Sequence, residues 1–362
     1  MQKIQGHINM HDMTSNEAKA FEKRFGVPAA AILIFARFWQ LETWLRHMIY
    51  IEVKSAVGND WKRFLPSPKE SDISRRDPKA KDKRLSHMQT RHESPLAYLT
   101  LGQLWDIIKR QELWDYFAIY FPPKDLLDAK LKELLQIRHR IAHCRDPHKD
   151  DLHRLEQFLR DIDQSFWKFC TSYNDLRGIL ESEENLLERR FRRCDQLYWS
   201  EVSPGEWAKI GVRDPKAVFD LTIKRSLRPW VRPSLLSKPV SEAPGVIYTA
   251  TISVLPRYII NYENALLNTR ELHRYCIHII LDAHCHSIEL TFPSVISIHF
   301  IIKTIDEFLK FTLGSIRPGS IRTLPGNHVE GIVANWPEYV LSPSNPLTFL
   351  SPNTPCSFFD IQ

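Results

Sequence analysis

Between Leu134 and Pro147 the chain reads Leu-Leu-Gln-Ile-Arg-His-Arg-Ile-Ala-His-Cys-Arg-Asp-Pro, which sets Arg138 and His143 five positions apart. An imidazole titrates near neutral pH, so it can accept or release a proton there. A guanidinium stays charged and grips two phosphate oxygens with its planar fork. Cutting an RNA strand without a metal requires a base for the ribose 2′-hydroxyl, an acid for the departing 5′-oxygen and a cation for the phosphorane between them. Histidine and arginine supply all three. The spacing alone has little specificity, because a chain with 15 His and a couple of dozen Arg yields about one Arg-x4-His match by chance. Residues five apart on an ideal helix also point about 140° away from each other. Arg138 and His143 therefore share a site only where the helix is ending or where Arg138 extends along it. Asp146-Pro147, read as the cap of the next helix, puts an ending there. The plain alternative is a pair of cations stabilising a helix C-terminus against its dipole.

The elements around this segment are helical from Ser15 to about Ser200. Val27 to Val57 carries Ile34, Phe38, Leu41, Leu45 and Met48 at helical spacing, opens with Pro28 and stops at Gly58. Ser94-Pro95 starts a helix or helix pair holding Leu96, Leu99, Leu104, Ile107 and Ile108, continuing through Trp114 and Phe117. Pro122-Pro123 opens a helix whose apolar face is Leu126, Leu127, Leu131, Leu134, Leu135 and Ile141. A further helix carries Leu152, Leu155, Phe158, Leu159, Ile162 and Phe166. Helices of this number and length make a bundle. Lys62 to His92 holds ten Lys or Arg against four acids, which predicts a mobile basic loop that either tracks an RNA backbone or is a solvated insertion. Leu176 to Tyr198 predicts an amphipathic helix that joins two domains or pairs two subunits.

Beyond Ser200 the apolar runs become short and β-branched. Val246 to Val254, Cys276 to Leu281, Ser287 to Phe292 and Val295 to Ile302 are strand candidates, and Thr304 to Leu313 is helical. The expected fold class is therefore α+β: an all-α bundle over 1–175 with its basic loop at 62–92, a connecting helix over 176–200, and a separate β-rich or α+β domain over 201–362. His273, Cys276, His278, His284, Cys285 and His286 raise the question of zinc, with His284 and His286 on one face of a strand. A zinc site wants paired ligands from two elements at short defined spacing, so these residues are read as packing or surface groups, and neither metal nor cofactor is expected. Trp39, Trp44, Trp105 and Trp114 are read as core.

Composition narrows the classes. The longest apolar stretch, Val27 to Ala36, is well short of the roughly 20 residues that span a bilayer. Met1 to Phe25 lacks the apolar region of a secretory signal, so the expected location is the cytoplasm and no membrane partner is expected. The six cysteines form no C-x-x-C pair and are expected to be reduced thiols. A net charge of +6 suits a polyanionic partner but is modest over 362 residues.

The segment Arg138-His139-Arg140-Ile141-Ala142-His143 resembles the motif of the HEPN ribonuclease family: an Arg, a polar residue, a few residues, an Ala and the His. The likeness extends to Trp39-Gln-Leu-Glu42-Thr-Trp44-Leu-Arg46 and to the Leu101-Gly102-Gln-Leu104 helix start, covering roughly residues 15 to 170. The resemblance implies a helical bundle that forms a homodimer through the motif helices, with Arg138 and His143 of both subunits facing a shared cleft. It implies metal-independent endoribonuclease activity of the kind found in toxin–antitoxin and abortive-infection, anti-phage defence systems. RNA is then the substrate partner, with transfer, messenger and ribosomal RNA all left open, and an antitoxin or regulatory partner is a further expectation. His139 occupies the polar position, where Asn is commoner. Glu42 is the candidate for an additional polar residue from the neighbouring helix, its alternative being an i, i+4 pair with Arg46.

Overall fold

The structure is a computed structural model that describes residues 15–66, 94–174, 186–191, 198–203, 206–210, 219–231, 243–319, 328–351 and 357–359. The chain is α+β and divides into two compact units. The first comprises Met1–Tyr50, Leu96–Ser172 and Leu350–Gln362; the second comprises Ile51–Pro95 and Tyr173–Phe349. The break at Ser172/Tyr173 falls close to the expected boundary at residue 175, but two other segments change sides. Residues 51–95 group with the second unit and residues 350–362 with the first, through pairings such as Lys54 with Cys276 and Asp163 with Phe359 that local patterns do not carry.

The first unit is helical: α1 (Ser15–Phe25), α2 (Ala29–Val57, to Tyr50), α3 (Leu101–Ile108), α4 (Gln111–Phe117), α5 (Lys124–Ala142) and α6 (Asp151–Tyr173, to Ser172). Its α2 forms where the sequence predicts it. Ile34, Phe38, Leu41, Leu45 and Met48 are all buried, one stripe at steps of three and four, and each buried side chain of this kind contributes about 1.5–3 kcal/mol. Gly58 ends the helix with φ at +64°, a conformation that costs glycine little. Thr100 and Gln103 form a reciprocal capping box that starts α3. On α5 the buried face is Leu127, Leu131, Leu134 and Ile137. Leu126, expected in that face, is exposed, because the stripe follows the 3.6-residue period and leaves it at the edge. Of the expected α6 stripe, Leu155, Phe158, Leu159, Ile162 and Phe166 are buried, while Leu152 in the first turn is only half-buried. Asp146-Pro147 does not cap α6, which begins five residues after Asp146 at Asp151 and leaves both in the loop.

Of the tryptophans, Trp105 is core, with its ring edge-on to Phe121 and Phe158. Trp44 and Trp114 are half-buried. Trp39 corrects the core expectation: it is 65% exposed beside exposed Phe35, since it falls outside the α2 stripe.

The second unit contains α7 (Leu186–Phe191), the antiparallel pair β1 (Tyr198–Ser203) and β2 (Glu206–Ile210), and a five-stranded sheet. The sheet runs β3 (Phe219–Leu227), β4 (Val246–Val254), β7 (Ser287–Pro293), β6 (Ile279–Leu281), β9 (Val340–Leu341); its β6–β9 pair is parallel and the others antiparallel. A second small pair joins β5 (Tyr258–Ile260) and β8 (Ile316–Pro318). Helices α8 (Tyr262–Thr269), α9 (Ile298–Gly314), α10 (His328–Val333) and α11 (Pro346–Phe349) complete it. Tyr248, Ala250 and Ile252 of β4 lie directly opposite Phe292, Leu290 and Ile288 of β7. All six enter one core with Ala265 and Leu266 of α8 and Ile301, Ile305 and Phe308 of α9, so the period of two in each strand builds a face for the helices.

Two expectations change here. Val295 to Ile302 is not a strand: from Ile298 onward it is the start of α9. Short β-branched runs do not separate a strand from a buried helix, and the buried positions Ile301, Thr304, Ile305 and Phe308 follow helical steps. The predicted connecting helix over 176–200 is helical at 186–191, with Leu187 and Phe191 in the core, but is already strand at Tyr198, where consecutive aromatic residues favour an extended chain. Its other residues, like 67–92 of the predicted basic loop, lie outside the described residues. Lys62 and Arg63 are exposed at the end of the 3-10 helix Gly58–Phe64.

His273 in this core predicts an acid sensitivity. It is 3% exposed, stacked on Phe308, and its ring nitrogens lie 3.1 Å from Thr269 Oγ1 and 3.2 Å from Tyr339 Oη. Burial, with a smaller push from Arg270, drives its pKa down to about 4. Between that value and the unfolded value near 6.5 the unfolded chain binds more protons, so stability present above pH 6.5 is lost as pH falls toward 4. Urea midpoints of wild type and His273→Phe are expected to diverge over that window, wild type losing on the order of 3 kcal/mol more. Parallel pH profiles would contradict it.

Candidate active site

The last turn of α5 carries Arg138, His139 and Arg140, and the way it ends determines where His143 goes. His143 leaves helical geometry at φ −100°, ψ 19°. Cys144 follows with φ at +54°, unusual for a residue with a Cβ. The Cys144 N–H donates to the Ile141 carbonyl at 3.0 Å and the Arg145 N–H to the Arg140 carbonyl at 3.0 Å. These two bonds define a Schellman termination, usually built on glycine. It turns the chain at Cys144, one residue past His143, whose own N–H still donates to the His139 carbonyl at 3.2 Å, so His143 sits one helical turn after His139.

Four of the residues singled out from sequence lie in this region, linked in two pairs. The rings of His139 and His143 are 4.3 Å apart, edge to face, and both residues are exposed. Arg138 donates from Nε to Glu42 Oε1 at 3.2 Å. The other Glu42 oxygen accepts from Arg46 Nη2 at 2.9 Å, the i, i+4 pair expected as its alternative, so the carboxylate bridges two guanidiniums. Glu42 is largely buried, its side chain 11% exposed against 35% for Arg138. Among the described residues Arg138 and His143 share no hydrogen bond, and the terminal Arg138 nitrogens have no partner.

Arg46 and Asp151 complete the frame. Arg46 also donates from Nε to the Leu96 carbonyl at 3.1 Å; burial lowers its pKa and the Glu42 carboxylate opposes that shift. Arg140 makes a bidentate pair with buried Asp151, 2.9 and 2.8 Å, and Asp151 also accepts from the His148 N–H at 2.9 Å. This fork ties the end of α5 to the start of α6 and fixes the loop between. The sequence signal for Asp151 was an acid in the first turn of a helix, a position common to many helices. Chemically, the last turn of α5 offers two exposed imidazoles in contact with each other and a guanidinium held by a carboxylate.

The second cluster of histidines disperses. His273 is packed as described, and His278 Nδ1 lies 2.6 Å from Tyr173 Oη. The Cys276 thiol is pushed up to about 12 by burial. His284 and His286 do not share a strand face. They flank Cys285 in the turn between β6 and β7, where the His284 and His286 N–H groups donate to Asp282 Oδ2 at 3.0 and 3.1 Å. Among the described residues no group of three or more His, Cys, Asp or Glu is placed to hold a metal ion. Among them, too, no helix is long and apolar enough to cross a membrane. No protein-family model, curated protein or solved structure matches this chain.

Proposed function

We propose that the helical unit is a metal-independent endoribonuclease of the HEPN type, acting as a toxin or anti-phage effector in the cytoplasm. The observation that carries this reading is the pair of exposed rings, His143 lying one helical turn after His139 and against it, at the end of the helix bearing Arg138. In the reaction, a neutral imidazole removes the ribose 2′-hydroxyl proton and the 2′-oxygen attacks phosphorus. The bond to the 5′-oxygen then breaks as an imidazolium returns a proton to it. The products carry 2′,3′-cyclic phosphate and 5′-hydroxyl ends. His143 is the acid or base. Arg138, anchored through Nε, directs its terminal nitrogens at the phosphorane, where fixed charge counts most. A homodimer through α5 supplies a second copy of each group, and the second unit recognises a target, senses a trigger or restrains the nuclease.

Sequencing RNA ends after induced expression tests this reading. Wild type is expected to create new 5′-hydroxyl ends and to arrest growth, and His143→Ala to do neither while folding normally. A second reading, a non-catalytic RNA-binding or protein-interaction module, draws on the Glu42–Arg138 pair and on cations near a helix C-terminus, both of which have structural value. Equal ends and equal toxicity in wild type and His143→Ala favour that module.

A further inference from the structure

His139 and His143 stand one helical turn apart at the end of α5, both exposed, with ring centres 4.3 Å from each other. The backbone holds that spacing, because the His143 N–H donates to the His139 carbonyl at 3.2 Å and the Schellman turn closes the helix directly behind it. An imidazole centre lies close to the line of its Cβ–Cγ bond, so turning either ring about that bond re-aims its nitrogens and leaves the 4.3 Å separation nearly unchanged. That torsion is broad in histidine, and two nitrogens can converge on one ion.

The separation selects the kind of ion. With metal–nitrogen bonds of about 2.0–2.1 Å each ring centre sits about 3.2 Å from the metal, which puts the two centres about 4.5 Å apart at a right angle and about 5.2 Å apart at the tetrahedral angle. The observed 4.3 Å fits the right angle of square-planar and octahedral ions, the nickel(II) and copper(II) class, better than the tetrahedral angle of zinc. The two guanidiniums flanking His139 are matched by carboxylates, Arg138 by Glu42 and Arg140 by Asp151, which lowers their repulsion of a cation.

We propose that His139 and His143 form a two-imidazole chelate for a divalent ion of the nickel(II) and copper(II) class, with water completing its shell. Two protein ligands make a reversible site, not a structural one. A bound ion occupies the nitrogen lone pairs that proton transfer needs, so it switches RNA cleavage off; this consequence rests on the RNA-cleaving reading, and the site itself does not.

The test is equilibrium dialysis of the untagged full chain against nickel(II) chloride near neutral pH. Wild type is expected to hold one more nickel(II) per chain than His139→Ala or His143→Ala, each variant losing at least about tenfold in affinity there, because the second imidazole of a chelate binds at high effective concentration. Replacing the other neighbouring pair, His284→Ala with His286→Ala, leaves that site intact. Equal uptake by wild type and both α5 variants, each with wild-type circular dichroism, overturns the proposal, as does a site lost with His284 and His286. Nickel(II) is expected to inhibit RNA cleavage at the concentration that fills the site, and EDTA to restore the rate. Cleavage undiminished with the site full overturns the inhibitory role. Dialysis decides the site even where no RNA is cut, so failure of the chelate and failure of the nuclease reading are told apart.

Discussion

His143→Ala is expected to lower the single-turnover rate of RNA cleavage by about a thousandfold, within the range that one positioned acid or base contributes. The fold should be unchanged, because His143 is exposed and its partners are its own backbone N–H bonds and the His139 ring. Surface replacements of that kind usually alter stability by less than about 0.5 kcal/mol. The two effects therefore separate: a large kinetic loss with no shift in the urea midpoint. A rate within about threefold of wild type would remove His143 from the chemistry.

Arg228→Leu is expected to destabilise the second unit by about 3–5 kcal/mol, the usual cost of breaking a buried ion pair from one side. Arg228 is 1% exposed and its partner Glu52 fully buried. The guanidinium meets both carboxylate oxygens, and Trp230 Nε1 adds a bond to Glu52 Oε2 at 2.7 Å. Losing Arg228 leaves the fully buried Glu52 carboxylate without its guanidinium. Glu52→Met combined with Arg228→Leu removes both charges and should recover most of that loss. Urea denaturation followed in the second unit measures both. A single-variant cost below about 1 kcal/mol, or a double variant worse than the single, would contradict the account.

Much of the helical unit was legible because its signals are local. Pro28, the stripe from Ile34 to Met48 and Gly58 bound α2, and the buried face of α6 follows from spacing alone. The strand at Val246–Val254 is equally plain from its β-branched residues, with buried and half-buried positions alternating from Tyr248 onward. What escaped was nonlocal or lacked its usual residue. Cys144 turns the chain where glycine is the customary signal, so the sequence marks the helix end only through Asp146-Pro147. The return of residues 357–359 to the first unit rests on Asp163, 194 to 196 positions away, and no periodic pattern encodes that. Glu42 shows the middle case. Its i, i+4 partner Arg46 is visible on the α2 helix, whereas the bond to Arg138, 96 residues distant, appears only once α2 and α5 are folded.

The most direct test of the central claim adds EDTA to the single-turnover assay and identifies the termini of the products. Wild type is expected to cut end-labelled RNA at an undiminished rate in the chelator, leaving 2′,3′-cyclic phosphate and 5′-hydroxyl ends, with Arg138→Ala and His143→Ala both inactive. Cleavage that stops with EDTA, or that persists in both variants, would contradict a reaction run by one guanidinium and paired imidazoles at the end of α5.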